Sequence, residues 1–212
     1  MKLALIGASG FIGSALLNEA LARGHAVTAL VTRPERLSPQ QRLTPVKADV
    51  RDPAGLVAQL RGHEAVISAF SGHAQPDVLG YYERGVEAIL TAIKAAGVPR
   101  LLMVGGAGAL EVAPGIQLLD TPEFPAEYRA TAEGARRALA MLRAEPELDW
   151  TMLAPSALIA PGERTGDFRL GEDRLLVDAN GDSHVSVEDY AVAMIDELER
   201  PAHSRRRFTV GY

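Results

Sequence analysis

Three glycines stand in the stretch Gly7-Ala8-Ser9-Gly10-Phe11-Ile12-Gly13, directly after a short apolar run and directly before a helical pattern. The spacing Gly-x-x-Gly-x-x-Gly at a strand–turn–helix junction suits the holding of a pyrophosphate. Glycine permits the tight turn and the close approach of backbone to phosphate, and the helix start offers unpaired N–H groups and the positive end of its dipole. A glycine triplet alone is a weak signal; in this context it is a strong one. Gly7, Ser9, Gly10, Phe11, Ile12 and Gly13 are therefore candidate dinucleotide-binding residues.

A second group of candidates follows where later strands should end. Arg33 lies 20 residues after Gly13, beside Thr32. Sites that prefer NAD place an acidic residue there for the ribose hydroxyls; an arginine pairs instead with a 2′-phosphate, and a threonine hydroxyl can donate to it. The pair points to NADP, with NAD left open by the neighbouring Glu35. Asp49 and Val50 stand where an adenine would lie; Asp49 either accepts from the adenine amino group or caps the helix beginning near Pro53. Ala69, Phe70 and Ser71 fall at the carboxyl edge where such sheets bind ligands. Pro155 and Ser156 are placed to meet a nicotinamide carboxamide through backbone groups, or Pro155 simply ends its strand. Tyr128, at a helix start, either stacks on or protonates a substrate ring, or is a half-buried structural aromatic. His73 is a further residue at the ligand edge, read as a solvated loop histidine.

The elements that must position these residues alternate regularly. Residues 3–6, 26–31 and 43–48 read as strands buried on both faces, and 65–70, 101–104 and 150–153 as further strands. Residues 11–23, 53–60, 76–96 and 126–142 read as helices, with Gly24, Gly62 and Gly97 as stops. Strands alternating with helices of this length predict an α/β fold, a doubly wound parallel sheet of Rossmann-like type. Residues 111–125, acidic and holding three prolines, read as a lid or substrate loop. Residues 161–181 read as loop plus a short hairpin, and Ser186-Val187-Glu188-Asp189 as a capping box opening a helix to about Leu198. A last strand at 207–210 completes a small C-terminal appendage on the substrate side. No linker or repeat divides the chain, so residues 1–212 are expected to form a single domain.

Composition narrows the function classes. The chain has 212 residues, 47% hydrophobic and 23% charged, with a net charge of −5 and no cysteine. Disorder is excluded by the apolar fraction, and disulfide or thiolate chemistry by the missing cysteine. The acidic balance disfavours nucleic acid as a partner. No membrane-length apolar run or signal-peptide pattern is present, so no membrane partner is expected and the cytoplasm is the expected location. The five histidines have no metal-ligand spacing, and no metal site is expected.

The glycine turn, Thr32-Arg33-Pro34, Ala48-Asp49-Val50 and Gly62-His63-Glu64-Ala65-Val66-Ile67-Ser68-Ala69 together resemble the atypical short-chain dehydrogenase/reductases, and within them the NmrA-like group named NADH-flavin reductases. Leu102-Met103-Val104-Gly105-Gly106-Ala107-Gly108, Leu119-Asp120-Thr121-Pro122-Glu123-Phe124-Pro125 and Val185-Ser186-Val187-Glu188-Asp189-Tyr190-Ala191 extend the likeness over nearly the whole chain. The resemblance is specific for the group and much less so for the reaction; names in the group, such as NAD-dependent epimerase/dehydratase, are given by similarity. It implies NAD(P)H bound through Gly7, Gly10, Phe11, Ile12, Gly13, Arg33, Asp49 and Val50. It also implies that residues after the fourth and fifth strands, Gly105 among them, flank the ribose and nicotinamide.

The chain departs from the carbonyl-reducing members at one decisive place. Those enzymes use a tyrosine, a lysine four residues later, and a serine after the fifth strand; the tyrosine protonates the developing alkoxide. Here Gly85, Val86, Ala132 and Met194 stand four residues after Tyr81, Tyr82, Tyr128 and Tyr190, Tyr212 is the last residue, and residues 105–110 hold no serine. A flavin or quinone-like acceptor needs less: the rings must be held in contact, and the second proton can come from water. The expected function is an NADPH-dependent reductase of such an acceptor, acting as a monomer or homodimer. The alternatives are a nonenzymatic NADP-binding sensor and an epimerase- or dehydratase-like enzyme on a nucleotide sugar.

Overall fold

A computed structural model describes residues 1–73 and 75–212. In chain order the elements are β1 (Lys2–Ile6), α1 (Phe11–Ala22), β2 (Ala26–Val31), β3 (Leu43–Lys47), α2 (Pro53–Leu60), β4 (Ala65–Ser68), α3 (Val78–Ala96), β5 (Arg100–Val104), β6 (Glu111–Ala113) and β7 (Ile116–Gln117). They continue with α4 (Arg129–Ala144), β8 (Asp149–Ala154), β9 (Leu158–Ala160), β10 (Arg169–Gly171), β11 (His184–Ser186), α5 (Val187–Glu199) and β12 (Arg206–Gly211).

The central sheet runs in the order β10-β12-β8-β5-β4-β1-β2-β3. All neighbours are parallel except β10, which pairs antiparallel with β12. Alternate residues of the strands serve two cores. Leu3 and Leu5 face α1 and α5, with Leu16, Tyr190 and Phe208 buried beside them. Ala4 and Ile6 face α2, α3 and α4, with Ile89, Leu139 and Trp150. This is the Rossmann-like, doubly wound sheet that the alternation of elements predicts. The chain leaves β1 toward β2 on one side and returns to β4 on the other, so a crevice opens above the carboxyl ends of β1 and β4.

Three local expectations are corrected. The run at 43–48 is not buried on both faces: β3 is the sheet edge, with Thr44, Pro45 and Lys47 exposed, and a central proline is tolerated there because an edge strand need not donate on both sides. No local hairpin forms within 161–181; Arg169–Gly171 crosses instead to the edge of the main sheet. A hairpin does form where a plain lid loop was expected, between β6 and β7.

The C-terminal appendage is the parallel pair β9–β11 with the excursion between them, while α5 covers the main sheet and β12 joins it. Ser186 caps α5 by accepting from the Asp189 N–H at 3.0 Å. Asp189 does not reach back as in a full capping box. Its fully buried carboxylate accepts from the Gly166 N–H at 2.8 Å and from the Tyr212 hydroxyl at 2.7 Å, tying the excursion to the helix.

Candidate functional site

The turn after β1 is built as its glycines require. Gly7 has φ +80°, and a Cβ there would fall 2.6 Å from the carbonyl oxygen of Ala69. The turn therefore lies against the end of β4. Gly10 precedes α1 with no side-chain cap, and the first turn of α1 carries no acidic residue. Among the described residues the N–H groups of Phe11, Ile12 and Gly13 consequently have no hydrogen-bond partner.

A cleft of about 660 Å³ opens beside this turn. Of the sequence-derived candidates, Gly10, Phe11, Ile12, Gly13, Ala69, Phe70, Ser71, Gly105, Tyr128 and Pro155 all line it. Gly7 and Ser9 lie in the same turn but do not line the cleft. Thr32 and Arg33 are exposed at the end of β2, outside the cleft, and among the described residues the Arg33 side chain forms no hydrogen bond or ion pair. Asp49 is also outside, exposed, and paired with Arg51 at 2.8 Å; that hydrogen bond holds its carboxyl below the usual aspartate value. Val50 beside it is buried. The capping alternative for Asp49 is overturned: Asp52 caps α2, accepting from the Gly55 N–H at 3.1 Å. The structure thus gathers one set of candidates in the cleft and leaves a second set past the ends of β2 and β3, exposed except for Val50.

Tyr128 is 57% exposed, so the half-buried alternative does not apply. It ends a single helical turn leading into α4, with its ring on the cleft wall. His73 faces α4 across the opening, its Nδ1 3.3 Å from the Thr131 hydroxyl. The other tyrosine hydroxyls are accounted for differently. Tyr190 is buried and donates to the Leu153 carbonyl at 2.8 Å, which removes it from solvent chemistry. Tyr82 lines the cleft, stacked on Phe70 with centroids 5.8 Å apart, and burial pushes its phenol up to about 12. It stays a neutral phenol at ordinary pH.

Tyr82, Val78, Phe124, Thr131 and Ile159 were not among the sequence candidates, yet all line the cleft. Tyr82 sits in the apolar stripe of α3 and looks like any core residue. Phe124 reaches the wall through long-range ties. Arg129 of α4 donates to the carbonyl oxygens of Leu119 at 3.0 Å and Thr121 at 3.4 Å, and its guanidinium lies 5.8 Å from the Phe124 ring centroid. Arg136 holds Asp120 at 2.9 Å. Residues 111–125 are in this way folded down onto α4 as one wall of the cleft.

Among the described residues no cluster of histidine and carboxylate side chains could hold a metal ion, and no helix is long and apolar enough to cross a membrane.

Known proteins share this fold and much of this sequence. The chain is 41% identical over 214 residues to the "uncharacterized protein YwnB" of Bacillus subtilis, covering 99% of this chain and 98% of that protein. A solved structure from Bacteroides thetaiotaomicron, described as a "putative epimerase", superposes with a TM-score of 0.93 at 47% identity, over 100% of this chain and 96% of that one. One from Streptococcus pneumoniae, described as a "putative NADH-flavin reductase", does so with a TM-score of 0.88 at 35% identity, over 100% and 99%. The resemblance read from the glycine turn and the later segments is therefore shown, and the fold is that of NAD(P)-binding oxidoreductases. The chain belongs to the NAD(P)H-binding family, whose model it matches over residues 7–201.

Proposed function

We propose that the chain is an NADPH-dependent reductase of a flavin or quinone-like acceptor. The observation that carries this reading is a mostly apolar, aromatic cleft continuous with the glycine turn, in a chain that lacks a tyrosine–lysine pair. The uncapped start of α1 and the cramped glycine at position 7 fit a dinucleotide pyrophosphate, so Gly7, Ser9, Gly10, Phe11, Ile12 and Gly13 would hold it. Thr32 and Arg33 would take a 2′-phosphate, Asp49 and Val50 the adenine. Ala69, Phe70, Ser71 and Gly105 would flank the ribose and nicotinamide, and Pro155 the carboxamide. When bound, the reduced nicotinamide supplies a hydride. The chain's own part is positioning: Phe70 and Tyr82 form a flat stacked floor, and Tyr128 offers a ring face to the acceptor. Reduction of an electron-poor ring asks for no alkoxide-protonating relay, and water at the open mouth can supply the second proton.

The test is NADPH oxidation by the purified protein with FMN, a simple quinone or no acceptor, and with NADH in parallel. Acceptor-dependent turnover favouring NADPH supports the reading. Saturable NADPH binding with no turnover on any acceptor overturns it and leaves an NADP-binding regulator.

A further inference from the structure

The two ends of the site differ sharply in charge. At the end of β2, Arg33 is exposed and, among the described residues, forms no ion pair. The cleft is the opposite: among its described lining residues there is no lysine or arginine, and Glu123 is the only carboxylate. Glu123 is exposed and also forms no ion pair among the described residues. The arginines close by are not lining residues. Arg129 is turned onto the carbonyls of Leu119 and Thr121, and Arg136 onto Asp120 and Glu133. The wall that carries Glu123 is held in place by these same arginines. An anionic group entering the acceptor end would therefore meet a carboxylate and no lysine or arginine on the described lining, in a protein of net charge −5.

Resting on the reductase reading, we propose that the acceptor end of the cleft selects uncharged, unphosphorylated flat rings, and that Glu123 is the residue that sets this selection. An uncharged ring loses nothing by contact with Phe70, Phe124 and Tyr128 and need not bring a phosphate or sulfonate past the carboxylate. A ring bearing such a group meets Coulomb repulsion from that carboxylate with no lysine or arginine on the described lining to offset it, and the effect grows as salt is lowered.

The experiment uses two matched pairs: riboflavin against FMN, and a naphthoquinone against its sulfonated analogue. Binding of each to the full chain saturated with oxidised NADP is followed by fluorescence, so that no turnover is needed, and kcat/KM with NADPH is measured separately. The neutral member of each pair should bind more tightly, by roughly threefold to tenfold at low ionic strength, with the gap closing as salt is added. E123Q should narrow the gap by about threefold, and E123K should narrow or invert it by about tenfold. Tighter binding of the anionic members, or a gap indifferent to E123Q and E123K, overturns this proposal and leaves the reductase reading standing. Failure of all four rings to bind or turn over overturns both.

Discussion

A methyl group on Gly13 would lie 2.0 Å from the carbonyl oxygen of Gly7. The two ends of the glycine motif are thus in direct contact, and the first turn of α1 rests on the loop that leads into it. No side chain can stand at position 13 unless the helix moves away, and moving it displaces the N–H groups that face the cleft.

Gly13→Ala should therefore damage stability and nucleotide binding together. Overpacking of this kind costs about 1–3 kcal/mol. Thermal unfolding should show the loss, and an NADPH fluorescence titration should show binding weakened by at least about tenfold, since the pyrophosphate cradle shifts with the helix. A variant as stable and as tight-binding as the parent would mean that the contact relaxes without cost.

Arg33→Ala separates the two cofactors. An exposed guanidinium paired with a 2′-phosphate makes charge-assisted hydrogen bonds worth about 1.5–3 kcal/mol, or roughly 10–100-fold in affinity. NADPH should lose that much and NADH little. Equal losses for both would sink the phosphate assignment.

Tyr128 can be tested by paired substitutions. If its ring face holds the acceptor, Tyr128→Phe should keep kcat within about twofold, while Tyr128→Ala should raise the acceptor KM by about 0.5–1.5 kcal/mol of lost aromatic contact. A large fall in kcat with Tyr128→Phe would instead make the hydroxyl a proton donor.

Acid should weaken one identifiable tie. Hydrogen bonds from Arg164, and secondly Arg23, hold the Glu19 carboxyl below its ordinary 4.5 against the opposing pull of burial. A lowered folded value means that the stabilisation is complete above the unfolded value and is lost as pH falls through the folded one. Arg164→Ala should thus cost stability at about pH 7, and the difference from the parent should shrink as the pH is lowered below 4.5, as read from urea midpoints. A difference independent of pH would place its origin in packing.

How much of this was legible beforehand depends on where each residue's partners lie. The strands β1, β2 and β4 are largely apolar runs stopped by local signals, and the glycine turn is visible because all its parts are adjacent in sequence. The run at 43–48 misleads because Leu43 and Val46 are apolar enough for a buried strand, while only the strand order reveals an edge. The site divides in the same way. Phe70 and Tyr128 announce themselves by following a strand and opening a helix. Phe124 and Tyr82 do not, because one is brought to the cleft by arginines of α4 and the other lies in an ordinary core stripe.

The far end of α1 has a consequence for how a ligand is received. Arg23, just past that end, is anchored to Asp196 at 2.6 Å and Glu199 at 2.9 Å, and Glu19 is gripped by Arg164 at 2.8 Å. With its first turn wedged on Gly7, the helix is clamped at both extremities like a beam. Its conformational freedom was surrendered when the chain folded, so little ordering remains for a nucleotide to impose there. Across the cleft the stretch at 111–125 is tied to α4 in its turn by Arg129 and Arg136, so the opposite wall too is in place before a ligand arrives.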